Sequence, residues 1–169
     1  MRYFAYGSNM SLARLRERVP SAARIGCYAL REHDLRFHKS GRDGSAKCDA
    51  FFTASGLDVI HGALFEIDPG EKPYLDRVEG LGFGYDEKEV ILTASNGARV
   101  TAVTYVATVI DHTLKPYSWH LNHVHIGATE IAAPGDYVER KILAVDVIED
   151  RDTARDSLER AIHHRGIAP

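Results

Sequence analysis

The chain has 169 residues, 44% of them hydrophobic and 27% charged, a composition that suits a globular fold and excludes long disorder. Its 21 lysines and arginines face 24 aspartates and glutamates, a formal net charge of −3 without any block of like charge, so neither nucleic acid nor an acidic membrane surface is an expected partner. No apolar run approaches the roughly 20 residues that cross a bilayer, no signal peptide is expected, and Cys27 and Cys48 fit no metal spacing. A single domain over residues 1–169, located in the cytoplasm, is the expectation.

Residues 2–6 read as a short apolar strand that runs into Gly7-Ser8-Asn9. In "SLARLRERV" (11–19), Leu12, Leu15 and Val19 recur at helical spacing behind Ser11, a suitable N-cap. Segments 24–38, 46–54 and 59–67 are rich in aromatic and β-branched residues and predict strands. The polar, glycine-bearing stretch "HKSGRDGSAKCD" (38–49) suits either a loop over a cavity or a plain hairpin loop, and is read as the latter. Asp68 as cap and Pro69 at the first helical position predict a short helix through 79. Asn96-Gly97, inside "EVILTASNGARVTAVTYV" (89–106), predicts a hairpin with a type I′ turn. Beyond Pro116 the spacing predicts helices over 117–132, 135–149 and 152–164. Strands followed by helices imply an α+β fold, a mixed and partly closed sheet wrapped by helices.

Three constellations carry chemistry. A strand ending in Gly-Ser-Asn collects backbone N–H groups in a small volume, which suits an anion, although an ordinary capped turn has the same composition. In "YLDRVEGLGFGY" (74–85), Glu79 ends a helix beside Gly80, Gly82 and Gly84, a setting for a general base, with Asp76 one turn earlier. His120, His123 and His125 complete no recognised ligand set, so they predict surface or hydrogen-bonding histidines and no metal; His163-His164 reads as a fraying helix end. "YGSN" lacks the glycine spacing of a nucleophile elbow, which argues against Ser8 as a catalytic serine.

Taken in order, "YFAYGSNM", "LFEI", "LDRVEG" with "GY" after it, "TYV" and "HIGATEIAAPGDYVERKI" (125–142) resemble the γ-glutamylcyclotransferase family. The resemblance implies a small β-barrel with surrounding helices and a cavity at one end. It also implies an activity that converts γ-glutamyl amino acids or peptides to 5-oxoproline plus the free amino acid, without a cofactor or metal. By position, Tyr6, Gly7, Ser8 and Asn9 would hold the γ-glutamyl group. Glu79 would serve as catalytic acid and base, and Tyr85, Tyr105 and Tyr137 would line the substrate. The implied partner is a small γ-glutamyl molecule, with a homodimer left open. The chain departs from the family pattern at His120, where relatives often carry tyrosine, and at the acidic Asp86-Glu87 after Tyr85. Two alternatives share the fold: a γ-glutamylamine cyclotransferase and a non-catalytic binding module.

Overall fold

The computed structural model describes residues 1–164, which form seven strands and five α-helices. The strands are β1 (Arg2–Ala5), β2 (Ala23–Arg31), β3 (His33–Ser40), β4 (Ala46–Phe52), β5 (Val59–Glu66), β6 (Tyr85–Thr93) and β7 (Arg99–Ala107). Five of them close into a barrel in the order β1-β5-β2-β6-β7, while β3 and β4 make a separate two-stranded sheet. All barrel pairings are antiparallel except the closing one, where β1 meets β7 in parallel at Tyr3 and Val103. The expected mixed sheet is therefore present and fully closed. Closure removes the open edges that would otherwise template aggregation.

The predicted strand over 24–38 is two strands. Glu32 adopts φ 61°, which breaks the chain between β2 in the barrel and β3 in the side hairpin. Its backbone stays satisfied there: Glu32 N donates to Asp58 O, and Glu32 O accepts from Thr53 N. The hairpin of β6 and β7 forms as expected, but its turn is not type I′, which needs positive φ at two residues. Only Gly97 is left-handed, at φ 83°. Gly97 N donates to Ala94 O and Ala94 N donates to Ala98 O, a three-residue loop with a glycine bulge.

The helices are α1 (Leu12–Arg16), α2 (Lys72–Glu79), α3 (Ser118–Glu130), α4 (Gly135–Val138) and α5 (Thr153–Ala161). Ser11 caps α1 by accepting from Arg14 N, and Asp68 caps a 3-10 turn over Pro69–Glu71 that leads into α2. Both caps match the expectation. The predicted helix over 135–149 stops early. After α4 the chain makes one π-helical turn, Glu139–Leu143, and then leaves the helix. Ile148 runs parallel to Tyr117: Ile148 N donates to Pro116 O, and Ser118 N donates to Ile148 O. Those partners satisfy the backbone that a longer helix would have used, and of Val138, Ile142, Val145 and Ile148, which helical spacing would put on one apolar stripe, only Ile142 is fully buried.

Helix α3 packs on the 3-10 turn Ser8–Met10 that follows β1. The approach requires Gly127, where a Cβ would lie 2.5 Å from both Met10 Cβ and Ser11 N. Gly7, on the other flank of that turn, is pressed against the hairpin, because a Cβ there would lie 2.9 Å from Cys48 Cβ. Phe4, Phe65, Leu64, Ile60 and Leu92 are among the fully buried side chains of the core beneath. Among the described residues no helix is long and apolar enough to cross a membrane.

Candidate active site

Where β1 ends, the chain turns through Ser8–Met10 and Met10 N donates to Gly7 O. That turn delivers Asn9 to one wall of a cavity of about 440 Å³. Helix α2 ends at Glu79 because Gly80 takes the left-handed conformation at φ 80°, and Gly80 N and Leu81 N both fold back onto Asp76 O. This stop places the Glu79 carboxylate against Asn9, seventy residues away in sequence. Asn9 Nδ2 donates to Glu79 Oε1 at 2.9 Å and to the Tyr3 hydroxyl at 3.1 Å. Arg18 closes the triangle: its Nη1 lies 2.8 Å from Glu79 Oε1 and 2.9 Å from Asn9 Oδ1. One carboxylate oxygen is thus held by two donors, while Oε2 has no protein partner among the described residues.

Tyr6, Gly7, Ser8, Asn9, Tyr85 and Tyr105 all border the same cavity as Glu79. Their tyrosine hydroxyls are already engaged by the protein. Tyr6 donates to Tyr105 O at 2.5 Å, Tyr85 to Cys48 O at 2.6 Å and Tyr105 to Asp76 Oδ1 at 2.7 Å. Burial pushes the phenols of Tyr6, Tyr85 and Tyr105 well above their usual range, so they stay neutral. These rings therefore shape the wall more than they offer donors. Tyr137 is placed elsewhere: it is buried edge-on against His61, with ring centroids 5.1 Å apart, and is not among the residues lining the cavity. Asp86 and Glu87 are also absent from the lining, and Glu87 pairs with Lys72 at 2.5 Å.

The hairpin loop between β3 and β4 does more than reverse the chain. Lys39, Arg42, Asp43, Lys47 and Cys48 border the same cavity as Glu79. His120, which also lines the cavity, and His123 are buried, so of the expected surface or hydrogen-bonding positions the surface one does not hold. Cys48 Sγ approaches His120 Nε2 at 3.7 Å, but burial raises the thiol and lowers the imidazole, so the pair is neutral and not an activated nucleophile. His123 Nε2 lies 3.0 Å from both Arg14 Nη1 and Glu159 Oε2, and its Nδ1 lies 2.6 Å from His163 Nε2. His163 in turn reaches Ser11 Oγ at 3.3 Å, so it locks the C-terminal helix to α1 and is not a frayed end. Among the described residues no group of three or more His, Cys, Asp or Glu side chains could hold a metal.

Burial lowers His120, His123 and His163 from the ordinary value of 6.5, and His123 falls to about 4. Above pH 6.5 neither the folded nor the unfolded chain protonates them, so the fold keeps its full stability. As pH falls through this window the unfolded chain takes up protons that the folded one refuses, and stability is lost. His123 alone accounts for a loss on the order of 3 kcal/mol by about pH 4. Urea unfolding at about pH 7 and pH 4.5 is expected to show this decline, and a flat profile would contradict the buried neutral cluster.

Residues 59–140 match the AIG2-like family. Over 165 residues the chain is 25% identical to a gamma-glutamylcyclotransferase of Bos taurus, covering 95% of this chain and 86% of that protein. A Homo sapiens protein of the same name is 28% identical over 143 residues, 82% of this chain and 75% of its own length. A solved structure named gamma-glutamyl cyclotransferase superposes with a TM-score of 0.85 at 25% identity, covering 96% of this chain and 98% of that one. The chain resembles the γ-glutamylcyclotransferases in both sequence and fold. The resemblance read from "YFAYGSNM" and "LDRVEG" is borne out, as is the α+β barrel wrapped by helices. In this γ-glutamylcyclotransferase-like chain the site spans more than the AIG2-like residues, since the Gly7–Asn9 turn, Arg14 and Arg18 precede them.

Sequence reasoning missed Tyr3, Arg14, Arg18, Lys39 and Lys47. Spacing on α1 distinguishes Leu12 and Leu15 as core but leaves each arginine looking like a solvated surface charge. A signal did exist on the hairpin. Lys39 and Lys47 sit directly opposite each other in register, an unfavourable placement for like charges that marks a wall facing something else.

Proposed function

We propose that the chain is a γ-glutamylcyclotransferase, converting γ-glutamyl amino acids or peptides to 5-oxoproline and the free amino acid. One observation carries the reading: Glu79 and Asn9 meet at the cavity, with one carboxylate oxygen held by Asn9 and Arg18 and the other without a protein partner among the described residues. A γ-glutamyl group contains its own nucleophile, the α-amine, so the protein needs to hold it folded and to move protons. Intramolecular attack of this kind reaches effective molarities of about 10⁵–10⁸ M. Glu79 Oε2 takes a proton from the α-ammonium, the freed nitrogen bonds to the γ-carbonyl carbon, and the amide C–N bond breaks. The proton then passes from Glu79 to the departing nitrogen, and the ring nitrogen gives up its second proton, which the released amine takes up as it becomes an ammonium. The Gly7–Asn9 turn receives the substrate's α-carboxylate, and its N–H groups face the oxyanion that develops.

The purified chain is expected to release 5-oxoproline from γ-glutamyl dipeptides. Thermal stabilisation by those dipeptides without product would replace this reading by a non-catalytic binding module.

A further inference from the structure

Five cationic side chains border the cavity, and three of them are matched. Arg18 pairs with Glu79, Arg14 with Glu159 and Lys47 with Asp43. Lys39 and Arg42 have no carboxylate within ion-pair distance among the described residues. Arg42 is exposed at the tip of the hairpin, close to Gly80 at the end of α2. Lys39 is only 8% exposed, and its ammonium lies 4.8 Å from the centre of the Tyr85 ring, with Gly84 leaving it room. Burial lowers Lys39 from its usual range, a cost that a bound anion would offset. Cross-strand from it stands Lys47, a second cation with the same wall to serve.

We propose that this hairpin wall binds the leaving half of the substrate, and that the leaving group is acidic: an amino acid with an anionic side chain as well as its own carboxylate. The inference rests on the cyclotransferase reading above. In that reading the γ-glutamyl half occupies Glu79 and the Gly7–Asn9 turn, which leaves the cationic part of the lining, Lys39 and Arg42, for whatever departs. A departing amine without a carboxylate leaves both Lys39 and Arg42 unmatched. A simple amino acid matches one of them, and an aspartyl or glutamyl acceptor matches both. Charge-assisted hydrogen bonds of this kind correspond to about tenfold to a hundredfold each in kcat/KM.

The test compares γ-glutamyl-glutamate, γ-glutamyl-alanine and a γ-glutamyl-alkylamine, scored by 5-oxoproline release. The expected order of kcat/KM is glutamate above alanine above alkylamine. In Lys39→Met and in Arg42→Ala the ratio of the glutamate to the alkylamine substrate is expected to fall about tenfold or more. Arg42→Ala alters an exposed loop residue and serves if Lys39→Met folds poorly. Equal kcat/KM for the three substrates, or variants that lower all three equally, overturns the acidic-acceptor assignment while the cyclotransferase reading stands. If none of the three yields 5-oxoproline, the cyclotransferase reading itself fails and this inference falls with it.

Discussion

Replacing Glu79 by glutamine is expected to lower kcat for 5-oxoproline release about 10²–10⁴-fold, the usual contribution of a positioned acid–base group. The amide keeps the size of the side chain and an oxygen that accepts from Asn9 and Arg18, so the turn and α2 stay in register. What it loses is the proton acceptor at the cavity. The substrate's α-amine then remains an ammonium, which has no lone pair for the γ-carbonyl. The expected signature is a large fall in kcat with a smaller change in KM, since the turn that receives the α-carboxylate is intact. A Glu79→Gln variant that cyclises γ-glutamyl dipeptides at the parent rate would remove Glu79 from the mechanism.

The second large effect concerns stability. Glu159 on α5 supplies the anion for Arg14, whose side chain is 8% exposed at the back of the cavity. Burial alone would raise the Glu159 carboxyl, but the contact with His123 and the charge of Arg14 outweigh it and hold it at about 2. Glu159→Ala strands a buried cation. The cost is expected to be about 3 kcal/mol, the low end of the range for breaking a buried pair, because a quarter of the Glu159 side chain remains in water. Adding Arg14→Met removes the stranded charge and is expected to restore most of the loss in chemical unfolding. A single variant as stable as the parent would show that α5 is held by its apolar contacts instead.

Much of the site was legible in the sequence because its two key pieces sit at chain punctuation. Gly7-Ser8-Asn9 ends a strand and Glu79-Gly80 ends a helix, and local rules place both without tertiary information. The hairpin at Asn96-Gly97 and the Asp68 cap were legible for the same reason. What local rules could not supply was the destination of long side chains. Arg14 and Arg18 lie one helical turn apart, yet one reaches Glu159 and the other Glu79. The strand order was equally out of reach, since β2 passes over its chain neighbours to pair with β5 and touches β6 at a single position, Ala29 with Thr93. Residues 144–149 looked helical by spacing but found backbone partners beside Tyr117 instead. Tyr137 failed as a cavity residue because its segment is set by packing against β5, a contact that motif order does not encode.

Gly127 and Gly7 together have a consequence for binding itself. With α3 seated on Met10 from one side and Cys48 against Gly7 from the other, the turn that carries Ser8 and Asn9 has no room to rearrange. Its ordering entropy, roughly 1–2 kcal/mol for each residue fixed, is lost when the chain folds. A substrate therefore meets a receptor already in shape, and the free energy of its contacts goes into affinity and alignment, not into organising the loop that receives it.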